Sequence, residues 1–137
     1  MKAVILDTNI IIRFVTSDDK AKQEKVALLF EKIEKGEIIA FIPDVIFAEI
    51  VFVLVSKKLY SLPKKTIQAI LLPIINHPNI KFNNKKSIKK ALDLFVKHDL
   101  DFEDGLIAAY AEKGKNEIYS FDSDFRKIPS IICKQPL

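Results

Sequence analysis

Four carboxylates, Asp7, Glu49, Asp104 and Asp122, stand at positions where each has a plain structural use and where the four together point to chemistry. Asp7 ends the apolar run Ala3-Val4-Ile5-Leu6 and is followed by the short polar groups of Thr8 and Asn9. An Asp at the carboxyl end of a buried strand lies where open α/β sheets form their ligand crevices; it is also a favoured helix cap. Glu49 stands in the middle of the stretch Val45 to Val55, which is otherwise apolar. A carboxylate embedded there loses hydration unless it is paired or bound to a metal, and the plainer use is a thin exposed stripe on that helix. Asp101 and Asp104 fall three apart, on one face of a helix's first turn, a spacing that also suits a capping box. Asp122 and Asp124 follow Glu117-Ile118-Tyr119-Ser120, so an acid again closes a strand, although Asp in a turn also bonds its own backbone.

If these carboxylates converge, their repulsion requires a divalent cation, and an all-oxygen pocket selects a hard ion such as Mg²⁺ or Mn²⁺. A cation held that way can in turn hold phosphate. With only Gly36, Gly105 and Gly114 in the chain, neither a P-loop nor a dinucleotide fingerprint is present, which leaves metal or lysine to meet phosphates. The net charge of +4 permits a nucleic-acid partner without demanding one. Arg13 and Arg126 are the two guanidinium groups; the remaining cations are lysines, point charges that favour backbone contact over base reading or simply solvate the surface.

Positioning these acids requires alternating strands and helices. After the first strand, Lys20 to Lys35 carries Val26, Leu29, Phe30 and Ile33 on one helical face and closes at Gly36. Ile38 to Ile42 is a second buried strand, and Pro43-Asp44 opens the apolar helix that holds Glu49, with Asp44 as its cap. A helix after Ser61-Leu62-Pro63 carries Ile67, Ile70, Leu71, Ile74 and Ile75, and Pro73 is expected to kink or end it early. Ile80 to Phe82 is a short strand; Lys85 to Lys97 is a basic helix with Ile88, Leu92 and Phe95 inward; Leu100 to Ala111 is a helix closed by Gly114. This order implies an α/β fold with a parallel sheet in one domain spanning residues 1–137. No apolar run reaches the ~18 residues of a membrane span and no signal-type segment opens the chain, so a cytoplasmic protein is expected. His77 and His98 have no partner at metal-ligand spacing, and Cys133 in Ile131-Ile132-Cys133 is read as a buried, inert thiol.

Four segments in order resemble the PIN-domain family, metal-dependent ribonucleases that include the toxin halves of VapBC toxin and antitoxin pairs. They are Ile5-Leu6-Asp7-Thr8-Asn9; Ile42-Pro43 followed by Glu49; Asp101-Phe102-Glu103-Asp104-Gly105-Leu106-Ile107-Ala108-Ala109; and Ser120-Phe121-Asp122-Ser123-Asp124-Phe125. The resemblance implies a parallel sheet of four or five strands flanked by helices on both faces. It also implies that Asp7, Glu49, Asp104 and Asp122 bind Mg²⁺ or Mn²⁺ and carry RNA phosphodiester hydrolysis, with Asn9, Ser120 and Thr8 supporting them. Ser120 stands where the family usually has Thr. Asp101 and Asp124 are additional acids beside the set. RNA as substrate, a cognate antitoxin and a homodimer are the partners implied, and the apolar helices around Glu49 and Ile67 to Ile74 ask for a cover of the dimeric kind. Two other classes share parts of the pattern. Aspartyl-nucleophile phosphatases also begin with an apolar strand ending in Asp, but need a second Asp where Asn9 stands. A non-catalytic RNA- or partner-binding module keeps the fold with structural acids, and would gain no stability from Mn²⁺.

Overall fold

The computed structural model describes residues 1–136. Its elements run β1 (Lys2–Ile5), α1 (Thr8–Val15), α2 (Lys20–Glu34), β2 (Ile38–Phe41), α3 (Asp44–Val55), α4 (Lys64–Ile75), β3 (Ile80–Lys81), α5 (Lys85–Lys97), α6 (Phe102–Gly114), β4 (Ile118–Tyr119), a 3₁₀ turn (Ser123–Lys127) and β5 (Cys133–Lys134). The chain forms two compact units, residues 1–85 and 86–137. The fold is α/β, and all its strand pairings are parallel. The five strands fall within the expected number and are divided into a sheet of three and a sheet of two. No helix among the described residues is long and apolar enough to cross a membrane.

In the first unit β2 lies between β1 and β3, with Ala3 opposite Ile39 and Ala40 opposite Ile80. Parallel neighbours need crossovers, which here are α1 with α2 and then α3 with α4. Asp7 caps α1, its carboxylate accepting from the Thr8 amide at 2.8 Å, and Asp19 caps α2 by accepting from the Lys22 amide. Gly36 takes the left-handed turn after α2 with φ +79°. Phe47, Ile50 and Leu54 of α3 and Ile67, Leu71 and Ile75 of α4 are buried with Ile11, Ile33 and Ile42.

Several expectations are corrected here. The strand from Ala3 was expected to be buried on both faces; instead Ala3 and Ile5 are exposed, Ile5 at 66%, and burial begins at Leu6. β1 is an edge strand of its three-stranded sheet, so an apolar run did not entail cover. Nor is α3 buried all round: Val45, Glu49 and Phe52 line an exposed stripe opposite Phe47, Ile50 and Leu54. Asp44 is the first helical residue rather than the cap, and its amide donates to Asn83 Oδ1. α4 continues two residues past Pro73, because a proline in the last turn removes a single ladder bond. His77 accepts from the Asn79 amide through Nδ1, which makes it a loop fastener.

In the second unit Ile118 and Tyr119 of β4 pair with Cys133 and Lys134 of β5. Leu94, Leu100, Ala108, Ala111, Ile118, Phe125, Ile128 and Ile131 form its core, with the half-buried Cys133 packed against them. α6 ends at Gly114, as read from the sequence, but the left-handed residue is Lys115 (φ 55°). Gly105 is the glycine that packing requires. A Cβ built on it would meet the backbone oxygen of Ala91 at 2.8 Å, so α6 approaches α5 closely only without a side chain there. That approach offsets the roughly 1 kcal/mol that glycine costs inside a helix.

Gly105→Ala is therefore expected to lower stability by about 1–3 kcal/mol, read as a lower urea midpoint at unchanged slope. An unshifted midpoint would mean that α6 moves off Ala91 at no cost.

Candidate metal centre

Asp104, Asp122 and Asp124 each offer a carboxylate oxygen such that the three atoms lie within 4.8 Å of one another. α6 supplies Asp104 from its first turn, and the loop after β4 supplies the other two. That loop is built by its own side chains. The Asp122 amide donates to Ser120 Oγ at 2.9 Å, and the Asp124 amide donates to Asp122 Oδ1 at 2.9 Å, which starts the 3₁₀ turn. Phe125 is buried in the core between Asp124 and Arg126 and anchors the turn.

Burial pushes the Asp104 carboxyl above its ordinary range, and the negative charges of Asp122, Asp101, Asp124 and Glu103 push it further. Lys127, one turn on from Asp124, relieves part of this repulsion: its ammonium lies 3.0 Å from Asp124 Oδ1 and donates to the Asp99 carbonyl at 2.6 Å. The hydrogen bond to Asp124 is also the main reason its pKa is raised. The sequence reading passed over Lys127, although its i,i+3 spacing from Asp124 was visible.

The donor set fits a hard divalent ion. Three carboxylate oxygens already gathered within 4.8 Å of one another are the hard donors that such an ion takes. The donors are all carboxylate oxygens, and a cation would reverse the effect that raises Asp104.

Asp101 occupies the cap position of α6 but makes no side-chain cap bond, so the capping box read for Asp101 and Asp104 is not formed. Its charge acts on Asp104, yet it lies outside the group of three. In the first unit, Asp7 is exposed at the cap of α1, Asn9 is exposed one residue into that helix, and the buried Thr8 donates through Oγ1 to Glu49 Oε2 at 2.7 Å. Glu49 is exposed, which overturns the reading of it as a carboxylate embedded in apolar surroundings. Apolar composition fixed how many α3 side chains seek cover, not which side receives it. What holds Glu49 is the Thr8 hydroxyl, a contact 41 residues away along the chain.

The PIN-domain model matches residues 4–131, a span that takes in residues of both compact units. The chain belongs to the PIN-domain family. Among curated relatives, this PIN domain is 29% identical over 126 residues to a VapC ribonuclease of Aquifex aeolicus, covering 90% of each chain. It is 27% identical over 136 residues to ribonuclease VapC2 of Methanocaldococcus jannaschii, covering 91% of this chain and 88% of that protein. Two solved structures align with the PIN domain at lower similarity. VapBC2 from Rickettsia felis, bound to a DNA fragment from its promoter, is 20% identical with a TM-score of 0.38, covering 98% of this chain and 99% of that one. VapC20 of Mycobacterium tuberculosis, a toxin that cleaves the sarcin-ricin loop, is 14% identical with a TM-score of 0.39, covering 91% and 93%.

The raised Asp104 fixes the sign of a pH dependence. Above the ordinary carboxylate range the folded PIN domain binds more protons at this site than the unfolded chain does, so metal-free stability falls as pH rises through that window. In EDTA at pH 7, Asp104→Asn is expected to melt above the wild type, with the difference closing as the pH falls towards about 4. A variant less stable than the wild type at pH 7 would show that ionised Asp104 supports the fold.

Proposed function

We propose that this PIN domain is a single nuclease domain, a ribonuclease dependent on Mg²⁺ or Mn²⁺, and the toxin half of a cytoplasmic toxin and antitoxin pair. The observation that carries the reading is the group of three carboxylate oxygens within 4.8 Å, in a chain whose relatives are named ribonucleases. Asp104, Asp122 and Asp124 hold the cation; Asp7 and Glu49 are assigned to the metal-binding set by their match to the family's acidic positions alone. A hard divalent ion, when bound, supplies charge stabilisation at a phosphodiester and lowers the pKa of water. The chain's own groups set the rest. Ser120 fixes the turn that presents Asp122, Lys127 orients Asp124, and Thr8 holds one oxygen of Glu49, leaving the other to act as acceptor for a water proton. Asn9, next to Thr8 in sequence, positions the acids or the substrate. Asp101, free of a capping bond, adds negative charge that favours the ion.

An antitoxin and a second copy of the chain are the protein partners of this reading. The exposed Val45 and Phe52 on α3 support a homodimer, since large apolar side chains on one helical stripe gain by being covered. Sedimentation equilibrium at micromolar concentration is expected to show a dimer; a clean monomer would overturn that part.

Asp7→Asn and Asp104→Asn are each expected to lower Mn²⁺-dependent RNA cleavage by more than about 100-fold, beyond the effect of a supporting residue. Glu49→Gln, at an exposed position, is expected to change stability by less than about 0.5 kcal/mol while still losing activity. Wild-type kinetics in Glu49→Gln would make Glu49 a scaffold residue, and full cleavage by Asp7→Asn would remove it from the site. Saturating Mn²⁺ is expected to raise the wild-type melting temperature, by about 2.7 kcal/mol of stability at 100 times Kd, and to leave Asp104→Asn unmoved.

A further inference from the structure

A cation in the acidic group meets one phosphate at most, so the rest of an RNA strand needs positive charge elsewhere on the chain. A cavity of about 310 Å³ in the first unit is lined by Asn9, Ile10, Arg13, Lys22, Lys25 and Val26. Three of these side chains are cationic, one is an amide and two are aliphatic. The cavity lies along α1 beyond Asp7: Asn9 follows that acid by two residues and Arg13 by six, about 9 Å at the helical rise.

The cations are held unequally. Arg13 Nη1 donates to Asp18 Oδ1 at 2.9 Å, and Asp18 is itself fixed by the hydroxyls of Tyr60 at 2.7 Å and Thr16 at 3.0 Å. Those bonds, Tyr60 first, hold the Asp18 carboxyl below its ordinary range, so Arg13 keeps its charged partner through mild acid. The guanidinium is thereby oriented, with its remaining N–H groups unspent. Among the described residues the Lys22 ammonium makes one ion pair, with its helix cap Asp19 at 3.9 Å. The ammonium of Lys25, one turn further along α2, makes no hydrogen bond or ion pair among the described residues.

We propose that this cavity is a backbone-phosphate subsite for single-stranded RNA, an inference that rests on the ribonuclease reading above. Lys25 and Lys22 meet phosphate oxygens as point charges, and the anchored Arg13 meets them with a fixed fork. Ile10 and Val26 give the ribose or base an apolar floor, and a site of this composition holds the strand without reading its sequence.

The test compares the double variant Lys22→Gln, Lys25→Gln with Lys57→Gln, Lys58→Gln, which removes the same charge from exposed lysines outside the cavity. Binding of a fluorescent single-stranded oligoribonucleotide is measured in EDTA over a salt series, and kcat and KM for its cleavage are measured with Mn²⁺. The cavity variant is expected to bind at least about fivefold more weakly than the control and to lower the slope of log K against log salt by about 1.4, the value for two lost phosphate contacts on a single strand. KM is expected to rise by a similar factor with kcat within about twofold, because the subsite acts on binding. A cavity variant indistinguishable from the control overturns the subsite while leaving the ribonuclease reading intact. RNA binding that is lost in the cavity variant, by a wild type that does not cleave with Mn²⁺, keeps the subsite and overturns the nuclease. Equal loss of binding to poly-glutamate as to RNA assigns the cavity to an acidic peptide instead and overturns the proposal.

Discussion

Repulsion among like charges is the constraint on which the second unit is built. Carboxylate charges no more than 4.8 Å apart repel by at least about 1 kcal/mol in bulk water and about 3 kcal/mol at the effective dielectric of a protein surface, and three such groups make three pairs. A flexible loop would relax this by swinging its acids outward. Here the loop is pinned by the Ser120 hydroxyl, by the Asp122 carboxylate on the Asp124 amide, by Lys127 and by the buried Phe125. Asp104 is carried by a helix, and burial first and the neighbouring acids second raise its pKa. Such preorganisation suits a cation site, since the electrostatic cost is met in folding and returned when positive charge arrives.

Capping and metal binding appear in the sequence as competing explanations for the acids, but on a carboxylate the two need not compete. Asp7 and Asp122 both stand at helix starts, and each accepts a backbone N–H. One hydrogen bond occupies one of roughly four lone-pair sites on a carboxylate. The cap then fixes the rotamer and leaves an oxygen available. Asp101 occupies a cap position without making the bond, so no cap fixes its carboxylate.

Much of this was legible in the chain itself. Gly36, the start at Lys20 and the strand at Ile38 announced their elements because turn chemistry and apolar periodicity act locally. The segment Ser120 to Phe125 was legible as a site because its acids follow a strand directly. What the sequence did not carry was sidedness. Whether Glu49 faces the interior depends on which flank of α3 meets the core, and its bond to Thr8 joins residues 41 apart. The exposure of β1 is of the same kind, since an edge strand and a central one are equally apolar when read as a string. Membership of Asp124 in the acidic group depended on a turn geometry that the run Asp122-Ser123-Asp124 permits without dictating.

The contact beneath Gly105 bears on how such a site tolerates change. The atom that a side chain at Gly105 would strike is the Ala91 carbonyl oxygen, a main-chain atom present whatever residue occupies that position. The spacing between α5 and α6 is therefore gauged by backbone against backbone, and the side chains of α5 do not set it. Asp104, next in the chain to this contact, inherits a height above α5 that surface substitutions on that helix leave untouched. Drift along α5 can be extensive while Asp104 stays at the same height, whereas a single methyl group added at residue 105 reaches the acidic group at once.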